Sequence, residues 1–157
     1  MSVLAIDLGG TNLKIGLIDH GRVIDMRSTP AAPEKGLWNH LAKIVNLVEE
    51  LCASQGIQAS ACQGVGVSLP GLVDSRKKRV VSAPAKKYED APGVDLVAWA
   101  KEKLGLSLKL ETDGHAALLG EWKYGAGKGV DDIVMVALGT GYGTSVIIRG
   151  RPLRGKH

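Results

Sequence analysis

A chain of 157 residues, 45 % of them apolar, suits one domain of ordinary size with a real hydrophobic core. Its formal net charge of +4 is modest and no apolar run approaches a membrane span, which argues against a membrane protein and against charge-driven nucleic-acid binding. Cys52 and Cys62 show neither metal-ligand spacing nor a disulfide framework, and the N-terminus enters a strand at once without a signal-peptide pattern, so a reduced, cytoplasmic setting is expected.

The chain opens with VLAIDLGGTNLKIGLID, Val3 to Asp19. It reads as apolar strand, glycine turn, apolar strand. Val3 to Ile6 is a short apolar run ending in Asp7, Gly9-Gly10-Thr11-Asn12 must turn the chain, and Leu13 to Ile18 returns. A glycine turn lets backbone N–H groups approach an anion closely, and Thr11 adds a hydroxyl donor. Asp7 at its mouth is placed to hold a hydrated magnesium ion against a phosphate, and Lys14 adds a compact positive charge. An ordinary hairpin with an exposed Asp is the competing reading.

After His20-Gly21, the residues Arg22 to Ser28 can complete a meander. Pro30 and Pro33 mark a loop. From Gly36 to Gln55 the apolar residues Leu37, Leu41, Ile44, Val45, Val48, Leu51 and Cys52 recur at helical spacing, with Gly56 as a natural stop. Cys52 on that stripe reads as a core thiol. Gln63 to Leu69 is a strand broken by Pro70-Gly71, and Val80-Val81 returns as a short strand. The basic clusters at 76–79, 86–87 and 149–156 lack aromatic interleaving and read as solvated loop charge, with attraction for an anionic substrate as a secondary role. A second helix is expected from about Asp95 to Leu104, stopped by Gly105.

Leu106 to Thr112 alternates apolar and polar side chains as a half-buried strand does, and it delivers Asp113 to the start of a helix read from Ala116 to Lys123. A carboxylate between strand and helix stands where open α/β sheets present functional groups, and it can accept the proton of a hydroxyl that attacks phosphorus. An Asp there also suits a helix N-cap, and both roles stay open. Gly125 to Gly129 reads as a joint. We place the domain boundary at about 120, with 1–120 as the first domain and 121–157 as the beginning of a second.

That second part repeats the first hairpin. Ile133 to Ile148 reads IVMVALGTGYGTSVII: Leu138-Gly139 falls over Leu8-Gly9, and Ala137 falls where Asp7 stands. Arg149-Gly150-Arg151 matches His20-Gly21-Arg22 after a shift of one residue. Two such hairpins, one acidic, suit two halves closing on one nucleotide. A chance likeness of two glycine-rich hairpins is the alternative.

Together DLGGTNLK, GVGVSLPGLVD, ETDGHAALLGE and LGTGYGTSVIIRGRPLRG, in this order, resemble the ROK family (repressor, open reading frame, kinase) of the actin-like ATPase and sugar-kinase superfamily. The resemblance implies a ribonuclease H-like α/β domain, a mixed sheet flanked by helices, followed by the start of a second similar domain. It implies glucokinase-like transfer of the ATP γ-phosphoryl group to a hexose or amino-hexose hydroxyl. On that resemblance Asp7 serves Mg2+ through water, Gly9, Gly10, Thr11 and Lys14 form the first phosphate loop, and Gly139, Thr140 and Gly141 the second. Gly71 and Thr112 would line the sugar, and Asp113 would be the general base. Glu121 is left to packing or surface. Thr112 and Ala85 stand where the family usually has Asn, which bears on the sugar bound.

Family kinases are about twice as long, so this chain resembles an N-terminal half. Their Glu-x-Gly-His motif, zinc cluster and adenosine segment would lie past His157, so no zinc site and no turnover are expected of these residues alone. A sugar-sensing regulator of the same family, and a non-catalytic half-domain that self-associates, are the alternative functions. The partners expected are a sugar, a nucleotide and a second copy of the chain, with no membrane and no nucleic acid.

Overall fold

Alternation of side chains builds the first sheet. In β1 (Ser2–Leu8) and β2 (Asn12–Asp19) the residues Leu4, Ile6, Leu8, Leu13, Ile15 and Leu17 all fall on the buried face. The two strands pair antiparallel, from Ser2 opposite Asp19 to Leu8 opposite Leu13. A His20-Gly21 turn with φ of 48° and 75° leads into β3 (Arg22–Pro30). Left-handed angles at both turn positions match the twist of the strands they join. The computed structural model describes residues 1–138 and 142–155.

α1 (Trp38–Ser54) crosses over the meander and buries Leu41, Ile44, Val48, Leu51 and Cys52, the stripe its sequence period predicts. That crossover lets β4 (Val65–Leu69) lie parallel to β1, with Leu4 opposite Val65 and Asp7 opposite Ser68. β7 (Leu108–Thr112) completes a five-stranded mixed sheet in the order β3-β2-β1-β4-β7. A small hairpin, β5 (Leu72–Asp74) with β6 (Arg79–Ser82), stands apart from it. The return strand around Val80 was expected but its partner was not, because three residues carry no readable period. α2 (Leu96–Leu104) is capped by Asp95, whose Oδ1 accepts from the N–H groups of Val97 and Ala98 at 3.1 and 2.9 Å.

The chain divides into two compact units, Met1–Glu111 and Thr112–His157. The division precedes α3 (Asp113–Tyr124), whereas sequence reading set the boundary inside that helix. The helix goes with the second unit because it packs on β8 (Ile133–Leu138) and β9 (Tyr142–Ile148), and Leu118 and Ile147 are buried there.

Within this second unit the order is β10-β9-β8, with β10 spanning Arg151–Pro152. The meander repeats the first one closely. Leu138 pairs with Tyr142 as Leu8 pairs with Leu13. Arg149 and Gly150 turn with φ of 50° and 67°, like His20 and Gly21. Four residues separate the paired Leu8 and Leu13 but three separate Leu138 and Tyr142, which accounts for the one-residue shift downstream. Among the described residues no helix is long and apolar enough to cross a membrane.

Candidate active site

In the first unit, the turn after β1 is closed by a hydrogen bond from Gly9 N–H to Asn12 O at 3.1 Å. A Cβ on Gly9 would fall 2.6 Å from that carbonyl oxygen, so the position demands glycine. Tyr88 Oη donates to Gly9 O at 3.2 Å, and Ala31 N–H donates to Thr11 O at 2.9 Å. Three carbonyls of the turn are thus occupied. Among the described residues, no hydrogen bond uses the N–H groups of Gly10 and Thr11, and both residues are exposed. Free N–H groups on a turn without side chains form an anion-binding concavity.

Asp7 is half-buried at the edge of this turn. Ser68, its neighbour across the parallel pair, donates from Oγ to Asp7 Oδ1 at 2.9 Å. Lys14 stands opposite Asp7 in register, on the same face of the sheet. Among the described residues no group of three or more His, Cys, Asp or Glu gathers to hold a metal. A lone carboxylate beside such a turn nonetheless suits magnesium, which keeps several waters and takes one or two carboxylates along with substrate phosphates.

The loop after β6 covers this turn, which the sequence did not disclose. Tyr88 is completely buried, with its ring edge-on to His40 at 5.5 Å between centroids. Burial, with the negative charges of Asp7 and Glu34 nearby, pushes the Tyr88 phenol up to about 12, so it stays a donor to Gly9 at neutral pH. Tyr88 N–H donates to Pro33 O at 2.9 Å, and the next turn of the loop holds Asp90. The two carboxylate oxygens of Asp90 accept from Leu37 N–H at 2.5 Å and Trp38 N–H at 2.9 Å, capping α1 from a distant segment. Lys86 and Tyr88 have φ of 61° and 54°. Each such non-glycine angle costs about 1–3 kcal/mol and persists only where surrounding structure enforces it. Between them Lys87 is laid over the glycine turn: a Cβ on Gly10 would lie 3.3 Å from both its Cε and its Nζ. Lys86 is exposed, as expected of loop charge, while Lys87 is half-buried with its side chain against the turn.

Gly71 has φ of 126°, and a Cβ there would fall 2.4 Å from Ser82 O. Its glycine is therefore required by the close approach of β6, a reason independent of any ligand.

In the second unit, the start of α3 separates two roles that sequence reading left joined. Thr112 is the N-cap, with Oγ1 accepting from His115 N–H at 3.3 Å. Asp113 is the first helical residue. It is exposed, and its Oδ1 accepts from Gly114 N–H at 2.7 Å. The helix begins ahead of the expected Ala116 because Thr112 supplies that cap. Glu121 Oε2 accepts from Ala126 N–H at 3.0 Å and orders the loop after the helix, a packing role as expected. Gly139, Thr140 and Gly141 lie outside the described residues.

Sequence reasoning singled out Asp7, Gly9, Gly10, Thr11, Lys14 and Asp113 as candidates but not their neighbours in the fold Ser68, Lys87 and Tyr88. A buried aromatic in a polar, proline-flanked stretch was the one available signal for the last two.

A model of the ROK family matches residues 3–157. The glucokinase of Thermotoga maritima is 31 % identical over 99 % of this chain and 47 % of its own length. The beta-glucoside kinase of Listeria monocytogenes is 30 % identical over 99 % of this chain and 49 % of its own. Among solved structures, a ROK family glucokinase from Streptomyces griseus, in complex with glucose and AMPPNP, superposes with a TM-score of 0.83 at 30 % identity. That match covers 99 % of this chain and 47 % of the other. The chain therefore spans about half the length of the relatives it matches.

Proposed function

Because the chain belongs to the ROK family, with the actin-like ATPase fold of its sugar kinases, we propose that it is the N-terminal portion of an ATP-dependent kinase for a hexose or amino-hexose. The observation that carries this reading is the division of labour at the start of α3. Thr112 caps the helix, so the exposed carboxylate of Asp113 is left for chemistry. As general base, Asp113 takes the proton of the sugar hydroxyl while that oxygen bonds to the γ-phosphorus and the bond to the ADP oxygen breaks.

The open N–H groups of Gly10 and Thr11, with Gly9 shaping the turn and Lys14 adding charge, receive the phosphates. Gly139, Thr140 and Gly141 supply the second phosphate loop. Asp7 would hold Mg2+ through water, and the ion would offset phosphate charge. Thr112 and Gly71 border the sugar. Support for a sugar and a nucleotide comes from the glucose and AMPPNP bound by the Streptomyces griseus relative. The buried free thiols of Cys52 and Cys62 favour a cytoplasmic setting.

Amide NMR of the chain, titrated with Mg·ATP and then with glucose, tests the reading. Mg·ATP should move the resonances of Gly9 to Thr11, and glucose those of Thr112 to Gly114. Millimolar ligand that leaves both sets unmoved would overturn it.

A further inference from the structure

We propose that Lys87 is a phosphate-binding residue: its ammonium, folded over the glycine turn, holds a phosphoryl oxygen of the bound nucleotide against the N–H groups of Gly10 and Thr11. This deepens the nucleotide reading above and rests on it. Four features within the first unit carry the inference.

The first is position. Cε and Nζ of Lys87 both lie 3.3 Å from where a Gly10 Cβ would be, so the absence of a side chain at Gly10 makes room for the lysine. The second is charge. Lys87 is half-buried, yet among the described residues its ammonium has no carboxylate within ion-pair distance. A cation beside unused N–H groups is complementary to an anion. The third is enforcement. Left-handed backbone at Lys86 and Tyr88 brackets Lys87, and this conformation is held by the buried Tyr88 ring, its bond to Gly9 O and the Asp90 cap on α1. The fourth is contrast. Lys86, the residue before it, is exposed; its backbone N–H donates to Glu89, and the side-chain atoms nearest to a Gly10 Cβ are all those of Lys87.

Lys14 and Lys87 then approach the phosphate from different elements, one from the strand after the turn and one from the loop above it. The same tyrosine that ties down Gly9 positions the lysine, so turn and cation are assembled together.

The test measures binding of Mg·ATP and of inorganic tripolyphosphate to the chain by amide NMR, for the parent and for Lys87→Met, Lys87→Arg and Lys86→Met. Lys87→Met should weaken both ligands about tenfold to a hundredfold, the size expected for one charge-assisted hydrogen bond. Lys87→Arg should recover part of that loss. Lys86→Met removes the same net charge and should change affinity less than about threefold, as a screened surface charge does. Retained chemical shifts in the β1 and β4 core would show that each variant folds. Equal loss in Lys86→Met and Lys87→Met, or unchanged affinity in Lys87→Met, would overturn the role of Lys87 while leaving the glycine turn as a phosphate site. A parent chain that binds neither ligand would overturn both readings.

Discussion

At the scale of single residues, Gly9→Ala tests whether the turn is as tight as its geometry requires. The added Cβ would meet Asn12 O at 2.6 Å, so the turn must open. A loss of about 1–3 kcal/mol in chemical denaturation is expected, together with weaker Mg·ATP binding. Thiol reactivity offers a second check. Burial, with Cys62 alongside, pushes Cys52 up to about 11. The thiolate that a disulfide reagent needs is thus scarce at pH 8, and both cysteines are buried. Labelling should be slow in the folded chain and fast in denaturant. Fast native labelling would show that α1 does not seal against the core. Asp7, Thr11 and Asp113 could be singled out as candidates in the sequence because the chemistry proposed for them is carried by type and spacing. Lys87 could not be, since only the fold brings residue 87 over residue 10.

At the scale of elements, the loop after β6 is fastened to α1 by Asp90. Asp90→Ala should cost about 0.5–2 kcal/mol, the usual size of a lost cap, read as a lower denaturation midpoint. An unchanged midpoint would mean that solvent satisfies the Leu37 and Trp38 N–H groups equally well. α1 and the β1–β2 hairpin were legible because their apolar periods are long and regular. β5 was not, for three residues show no period. The start of α3 was misplaced because Asp113 and Thr112 are both good caps, and local preference cannot choose between neighbours. The choice lies in the backbone, where Thr112 is extended and Asp113 already helical.

At the scale of the whole molecule, stability should depend on alkaline pH. Tyr88 is raised from an ordinary value of 10.0 to about 12, and Cys52 from 9.0 to about 11. A group held neutral in the fold contributes fully below its unfolded value and loses that contribution as pH rises through its folded value. The Tm should therefore hold up to about pH 9 and fall between about pH 9 and 12, less steeply in Tyr88→Phe. A flat Tm across that range would mean that neither group is desolvated. The second unit leaves Val134, Val136, Leu138 and Tyr142 exposed along and beside the edge strand β8. Such an apolar edge invites pairing, so sedimentation should show self-association that Val136→Lys reduces. A strictly monomeric chain would contradict this. The two hairpins were legible as a repeat and the mixed sheet through the family resemblance, whereas the grouping of α3 with the strands after it was not, because packing rather than the glycine-rich joint decides it. The most direct measurement of function is kcat for glucose phosphorylation by a chimera of this chain with the second half of the Streptomyces griseus glucokinase, compared with its Asp113→Asn variant. Loss of about a hundredfold to ten-thousandfold in kcat, with KM for glucose within a few-fold, is the result expected of a general base. Turnover at the parental rate in Asp113→Asn would contradict it.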